Sequence, residues 1–353
     1  MHESRVVASW PSVPVEIVRA AGFRPVMFRG ASGPTPAADA HLEPGIFPSR
    51  LRRLVDDALT GRLADAARIV IPRTSDADYK SFLYLREFVR RGVATALAPV
   101  VLFDLLQSRG ADVPAYDVAR VHALLDELSA ASGRTPSADD LRQEITRANA
   151  ARAAARRLVE LRRASRVAGA EVFPLLAAFW EMEPDRYVKM ANDAASRIAT
   201  TPPLAGPRVL LTGAPVDGHT LHDVIESHGA VIVDEVGPWG SGAAGDDVRV
   251  DDDPVAALAD KYRADAIGAR TPVNSLRRLT ESMLDEVDAV VVSLPPDDAV
   301  FGWDYPWLRD VLQARRIPHV CLRGDPHETL TTADHAALHA MVASTRPQEA
   351  RHG

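Results

Sequence analysis

The sequence predicts an α/β protein with two parallel-sheet domains and an all-helical segment between them. Two observations carry this prediction. Short apolar runs alternate with amphipathic runs near the start of the chain and again after residue 204, which is typical of strands and helices alternating around a parallel sheet. Between residues 114 and 200 the strand pattern disappears and apolar residues recur at helical spacing.

The elements of the first part follow from local signals. The helix at 14–21 begins with a proline and ends at Gly22, the usual residue after a helix. The helix at 49–59 carries Leu51, Leu54 and Val55 on one face. The predicted strands are 6–10, 25–28, 68–72 and 96–103, and the helices are 14–21, 49–59 and 78–90.

The middle of the chain contains helices only. Ser137, followed by Asp140 three residues later, is a typical N-cap for a long helix that reaches Arg163. This helix carries a run of five arginines, which we interpret as a solvated face or a subunit contact rather than an anion site. The run consists of Arg152, Arg156, Arg157, Arg162 and Arg163.

After a Pro-rich linker at 201–207, a second strand–helix alternation begins. Its predicted strands are 208–212, 231–234, 289–294 and 318–322, and its helices are 220–227, 253–262, 305–315 and 333–342. We therefore expect two doubly wound (Rossmann- or flavodoxin-like) domains. The expected divisions are 1–113 for the N-terminal domain, 114–203 for the helical region and linker, 204–346 for the C-terminal domain, and 347–353 for a flexible tail.

Composition excludes several functional classes. The 353 residues carry a formal charge of −7, which argues against nucleic-acid binding by general electrostatics. The single cysteine, Cys321, excludes an intramolecular disulfide and any thiolate-rich metal site made by this chain alone. No apolar run is long enough for a membrane helix and the N-terminus lacks a signal-peptide pattern, so we expect a cytoplasmic protein. The P-loop and the GxSxG elbow are absent from the sequence, and the Gly-rich run that begins at Gly237 is interpreted as a loop and a weak signal for dinucleotide binding.

Polar residues follow four of the predicted strands, at 9–12, 72–76, 212–214 and 293–298. Ligands bind at the carboxyl ends of strands in open parallel sheets. If the two domains face one another, these strand ends line one interdomain cleft. The alternative is that residues such as Thr74, Ser75 and Asp76 only cap the following helix, and capping is compatible with ligand contact.

Two further features have simple structural interpretations. His335 and His339 lie four residues apart in a predicted helix, which could place two metal ligands on one face, but no third ligand is evident. We interpret them as the polar face of a terminal helix, and we predict no metal ligands. Cys321 lies inside an apolar strand and is interpreted as an unreactive core thiol.

Several strings, in order along nearly the whole chain, resemble the 2-hydroxyacyl-CoA dehydratase/benzoyl-CoA reductase subunit family. Residues 14–26 resemble the opening of that family, and residues 71–76 resemble a segment in which the family has Thr-Cys-Asp. Further similarity is found at 137–158, 208–213, 225–230, 253–262, 301–308 and 316–318.

The resemblance implies an acyl-CoA enzyme built from two related subunits. In typical members, three cysteines of each subunit hold a 4Fe–4S cluster in the interdomain cleft. A separate ATP-dependent activator supplies a low-potential electron, and a ketyl radical permits dehydration or ring reduction. Soft thiolate ligands hold the iron and tune its potential.

This sequence departs from the family at the cluster ligands. The three cysteines would fall near Pro48 or Ser49, at Ser75 and near Asp298, and none of these residues is a cysteine. Oxygen ligands of this kind do not assemble a conventional cluster. We therefore expect this chain to bind no cofactor, with a 4Fe–4S cluster in a partner subunit and acyl-CoA as substrate.

Three hypotheses follow. The chain is the cluster-free subunit of a hetero-oligomeric acyl-CoA dehydratase or reductase, with a cluster-bearing paralogue and an activator as partners. Alternatively, it is a stand-alone non-redox acyl-CoA enzyme or binding protein, or a purely structural partner. The candidate catalytic residues are Ser75, Asp76 and Asp298. The candidate substrate-binding residues are Ser12, Glu16, Arg73, Thr74, Thr212, Gly213 and Trp303.

Overall fold

A computed structural model describes most of the chain. The described residues are 4–31, 33–43, 45–94, 96–108, 110–240, 242, 245–250, 253–264, 268–296, 298, 300–327 and 330–345. They form two compact units, the first made of 1–153, 178–188 and 245–266, and the second of 154–177, 189–244 and 267–353. The divisions expected from the sequence stay predictions, and the expected tail at 347–353 lies outside the described residues.

The first unit contains a four-stranded parallel sheet. Its strands are β1 (Arg5–Ala8), β2 (Arg24–Met27), β3 (Ala66–Pro72) and β4 (Val100–Phe103), in the order β2-β1-β3-β4. The helices between them are α1 (Val15–Ala20), α2 (Pro36–Asp39), α3 (Ser49–Leu59) and α4 (Asp76–Arg90).

Helices α3 and α4 cover the same face of this sheet. Leu51 and Leu54 of α3 and Leu85 of α4 pack with Ile69 and Ile71 of β3 in one core cluster. Both helices belong to crossovers that move in the same direction along the strand order. Right-handed crossovers place such helices on one face, which explains this arrangement.

The chain then becomes helical, as the sequence predicts. The helices are α5 (Val113–Ser132), α6 (Ala138–Arg163), α7 (Gly169–Ala177) and α8 (Pro184–Ile198), with a 3₁₀ turn at Ala178–Trp180. Residues 138–153 of α6 belong to the first unit and residues 154–163 to the second. No helix in the described part of the chain is both long and apolar enough to cross a membrane.

The second unit repeats the sheet plan of the first. Strands β5 (Arg208–Gly213), β6 (Val231–Glu235), β7 (Ala289–Ser293) and β8 (His319–Leu322) are parallel, in the order β6-β5-β7-β8. The sequence therefore predicted the α/β class and the doubly wound plan correctly. The remaining helices are α9 (Thr220–Ser227), α10 (Pro254–Ala264), α11 (Val273–Met283), α12 (Phe301–Arg315) and α13 (Thr332–Ser344), with α10 in the first unit and a 3₁₀ turn at Leu284–Glu286.

Alternate residues of β5 separate the two faces of the second sheet. Leu211 packs with Leu221 of α9 and Leu338 of α13. Leu210 packs on the other face with residues of α11 and α12, among them Met283 and Leu308. The loops after β5 and β7 therefore lead to helices on opposite faces.

The interpretation of the arginine run as a solvated face is wrong for Arg152. Its side chain is buried, and Nη2 donates to Oε1 of the fully buried Glu16 at 2.5 Å. The hydroxyl of Tyr262 donates to the other carboxylate oxygen at 2.8 Å. Burial alone would raise the pKa of Glu16, but the charge and hydrogen bond of Arg152, a backbone hydrogen bond and the Tyr262 hydroxyl together outweigh it and hold the pKa below its ordinary value. A buried carboxylate is tolerated here because it is paired and hydrogen-bonded.

The interpretation is also wrong for Arg162, which is fully buried in the second unit. Its guanidinium donates to Asp234 at 3.1 Å and to Glu235 at 2.9 Å, both at the end of β6. Arg157 is exposed, as the sequence predicts, whereas Arg163 is exposed but also donates from Nε to the buried Asp234 at 2.7 Å. One helix thus carries both exposed arginines and arginines that pair with buried carboxylates.

We expect Arg152→Ala to lower the free energy of unfolding by about 3–5 kcal/mol, because it leaves Glu16 as an unpaired buried charge. Urea denaturation measures the loss. The control is Arg157→Ala, an exposed position on the same helix, which should change stability by less than about 0.5 kcal/mol. Arg152→Met combined with Glu16→Gln should cost less than Arg152→Ala, since no buried charge remains. If Arg152→Ala lowered the free energy of unfolding no more than Arg157→Ala does, Arg152 would not be the counterion of a buried Glu16.

Candidate functional site

The strand order places a topological switch point between β1 and β3 in the first sheet and between β5 and β7 in the second. At such a point the loops after the two central strands lead to opposite faces and leave a crevice at the carboxyl edge. The sequence analysis found polar residues after four strands, which are β1, β3, β5 and β7. Each of these strand ends lies next to one of the two switch points. Each unit therefore has its own candidate ligand edge.

Two serine hydroxyls at the first edge are buried without a hydrogen-bond partner among the described residues. Ser9 directly follows β1, and Ser12 lies three residues further on. Both side chains are buried, and neither Oγ is paired. An unpaired buried hydroxyl costs free energy unless a ligand or water satisfies it. This supports the choice of Ser12 as a ligand contact, although the contact itself stays a prediction.

Thr74 and Ser75, which follow β3, both bond to Asp78. The carboxylate of Asp78 accepts from Thr74 Oγ1 at 2.5 Å and from Ser75 Oγ at 2.7 Å. Ser75 in turn caps α4, because its Oγ accepts from the Asp78 N–H at 3.0 Å. Asp76 is the exposed first residue of that helix. The capping interpretation therefore holds for Ser75, and its catalytic role stays a prediction.

Arg50 completes this network at the first edge. Its Nη2 donates to Asp78 at 3.1 Å, its Nη1 donates to the Ser9 carbonyl at 2.5 Å, and its guanidinium lies 4.6 Å from the centre of a Trp10 ring. Sequence reasoning missed both Arg50 and Asp78. Because both lie within helices, inspection of the strand ends alone could not find them.

The other two candidates of the first unit already have charged partners. Arg73 donates to Asp104 at 3.2 Å, and its guanidinium lies 4.6 Å from the centre of the Tyr79 ring. Glu16 holds Arg152 and Tyr262, as described above. These contacts position both side chains within the protein, and their contact with a substrate stays a prediction.

Gly213 allows a close approach of strands at the second edge. Its φ is +98°, and a Cβ atom there would collide with the carbonyl oxygen of Ser293 at the end of β7. The same carbonyl accepts from the Ala214 N–H at 2.8 Å. Only glycine fits this position. The adjacent Thr212 is buried, and substrate contacts of both residues stay predictions.

Asp298 caps α12. Its carboxylate accepts from the backbone N–H groups of Phe301 at 3.0 Å and Gly302 at 2.6 Å. Trp303, on the first turn of the same helix, is 86% exposed. Asp298 belongs to the second unit and Ser75 to the first, so their joint participation in one site stays a prediction.

Sequence reasoning also missed a carboxylate–histidine pair at the second edge. Asp217 in the loop after β5 and His327 in the loop after β8 are 2.6 Å apart, between Oδ1 and Nε2, and both side chains are nearly buried. A carboxylate fixes the tautomer and orientation of a histidine in this way. Inspection of the whole loops after β5 and β8, rather than of the first residues after each strand, would have found both residues.

Glu235, the last residue of β6, lies in a buried charge network. Arg162 Nη1 donates to Oε1 at 2.9 Å, and His222 Nε2 lies 2.9 Å from Oε2. Burial raises the pKa of Glu235, but the charges and hydrogen bonds of His222 and Arg162 outweigh it and lower the pKa to about 2. The carboxylate therefore stays ionised at neutral pH and serves as a fixed charge.

The residues at the expected cluster positions do not fit a 4Fe–4S cluster. Ser75 and Asp298 offer hard oxygen atoms that are already engaged as helix caps. Cys321 lies in β8, where burial raises the pKa of its thiol despite Arg323 nearby. Within the described ranges, no group of three or more His, Cys, Asp or Glu side chains is arranged to hold a metal ion.

Comparison with known families gives one result. The family model of 2-hydroxyglutaryl-CoA dehydratase, D-component, matches residues 12–334. This range contains every candidate site residue and every strand of the two sheets except β1. No curated protein matches the chain.

We expect the buried network around Glu235 to make stability depend on pH in acid. The pKa of Glu235 is about 2 in the folded chain and 4.5 in its unperturbed state. Its contribution is therefore complete above about pH 5 and disappears as the pH falls towards 2. The difference in unfolding free energy between the wild type and Glu235→Gln, measured in urea at pH 7, 5 and 3, should shrink over this window. The exposed Glu160→Gln is the control and should show no such trend. A difference that stays constant from pH 7 to pH 3 would contradict the assignment.

Proposed function

The chain belongs to the 2-hydroxyglutaryl-CoA dehydratase D-component family, and on that premise we propose that it is a cluster-free subunit of a cytoplasmic 2-hydroxyacyl-CoA dehydratase or benzoyl-CoA reductase type enzyme. A dehydratase component implies a partner subunit. In this proposal the partner is a paralogue that carries the 4Fe–4S cluster and performs the radical chemistry, with an ATP-dependent activator as electron donor. The enzyme would be a lyase or an acyl-CoA reductase.

One observation carries the proposal: the family matches nearly the whole chain, while two of the three residues at the expected thiolate positions, Ser75 and Asp298, act as helix caps. A side chain that bonds the free N–H groups of a helix start typically contributes about 1 kcal/mol. Ser75 and Asp298 each make such bonds. The loops that would hold a cluster therefore have a different stabilising role in this chain. Three thiolates cannot come from one cysteine, so in this proposal the cluster belongs to another chain.

The remaining task of this subunit is to bind and orient the acyl-CoA. The unpaired hydroxyls of Ser9 and Ser12 at the first switch point support this task, because they can hydrogen-bond a polar group of the ligand without losing an existing bond. Arg50 and Asp78 hold the neighbouring loops with bonds to Ser9 and Ser75. They act as positioning residues that keep the two loops of the crevice in place.

The first test is the iron and acid-labile sulfide content of anaerobically purified protein, alone and after co-expression with a paralogous subunit. We expect no iron in the chain alone and a stable iron-containing complex with the paralogue. Neither iron nor a complex would overturn the proposal in favour of a stand-alone, non-redox acyl-CoA protein. Iron bound by the chain alone would show that this chain has cluster ligands at residues other than the three expected positions. Ser75→Cys alone should restore no cluster, because two further ligands are missing.

We expect Ser12→Ala to weaken binding of 2-hydroxyglutaryl-CoA by about 2–13-fold, the equivalent of one hydrogen bond of 0.5–1.5 kcal/mol. Calorimetric titration of the complex measures the change. Stability should be unaffected, since the hydroxyl has no partner to lose. The matched control is Ser81→Ala, a buried serine whose hydroxyl donates to the Ala77 carbonyl at 2.9 Å. This control should bind like the wild type, and equal binding by Ser12→Ala would count against a ligand role for Ser12.

A further inference from the structure

Three histidines of the second unit lie together at the far end of α9. His228 follows the last residue of α9, and His335 and His339 lie one turn apart on α13. His228 Nε2 is 3.0 Å from His335 Nδ1, and the centres of these two rings are 5.2 Å apart. The His339 ring centre is 6.5 Å from that of His228. The sequence showed two histidines at metal-ligand spacing without a third ligand, and the fold supplies the third.

The His228–His335 geometry is close to that of two ligands on one zinc ion. With Zn–N bonds of about 2.0–2.1 Å at a tetrahedral angle, the two nitrogen atoms lie about 3.3 Å apart and the ring centres about 5 Å apart. The observed separations are 3.0 Å and 5.2 Å. A zinc ion therefore needs only a small outward movement of the two nitrogen atoms, with little movement of the rings.

His339 is the ligand that has to move. Its ring centre, now 6.5 Å from that of His228, would have to come about 1.5 Å nearer to match the same tetrahedral geometry. The side chain is exposed, so rotation about its χ angles meets little resistance. As placed, the described residues hold no complete three-ligand group, and this one rotation is the step that completes it.

We propose that His228, His335 and His339 bind one Zn²⁺ ion, with the fourth coordination position open to solvent. Three neutral imidazoles and a water molecule are a common zinc ligand set. The ion would join the end of α9 to α13. Since only the folded chain brings these residues together, zinc should stabilise the second unit by RT ln(1 + c/Kd), where c is the free zinc concentration, and this stabilisation keeps growing as c rises above Kd.

The test is calorimetric titration of the full chain with ZnCl₂, using protein without a histidine tag and freed of metal with EDTA. We expect one ion per chain and a rise in melting temperature on zinc addition. His335→Ala and His339→Ala should each weaken binding by about tenfold or more, because loss even of a residue that only supports a ligand costs 10–100-fold. Because the His339 side chain is exposed, His339→Ala should still fold. Weaker zinc binding by this variant therefore cannot be attributed to misfolding.

Two controls separate this site from other histidines. His122→Ala removes an exposed histidine in α5, and His352→Ala removes the histidine nearest the C-terminus. Both should bind zinc like the wild type. Absence of zinc binding would overturn the proposal. Unchanged affinity in His339→Ala would overturn the three-ligand site, and loss of binding in His352→Ala would place the ion elsewhere.

Discussion

The order of strands in the two parallel sheets is the constraint on which the rest of the structure depends. Parallel strands need crossover connections, and right-handed crossovers fix the face on which each helix lies. In the second sheet this places α9 on one face and α11 and α12 on the other. The loops after β5 and β7 must therefore diverge at the carboxyl edge. The crevice between them is a consequence of chain connectivity, whatever residues occupy the loops.

This constraint explains which features the sequence could predict. Apolar runs gave the strands, and the strand-end rule led to Ser12, Ser75, Gly213 and Asp298 at the two edges. Helix α3 has the predicted bounds, Ser49–Leu59. Helix α11 was missed although Leu276, Leu279 and Met283 of its segment lie at helical spacing and pack in the core of the second unit.

Long-range charge pairing explains the features that the sequence could not predict. Arg152 and Glu16 are 136 residues apart in the chain, and nothing local distinguishes Arg152 from the exposed Arg157 five residues later. A charged residue is buried only where the fold supplies its counterion, so its environment depends on elements distant in sequence. The same holds for Asp217 and His327, which meet only because β5 and β8 belong to one sheet.

The histidine contacts of the second unit connect α9 and α13, or the loops before them, at two places. Helices α9 and α13 share a face of the sheet. Asp217 and His327 join the loops that precede them at the carboxyl edge, and His228 and His335 meet at the opposite end of α9. The two contacts share no atom, yet both join the same two parts of the fold, so the placement of α13 against α9 depends on histidine side chains at two separate places.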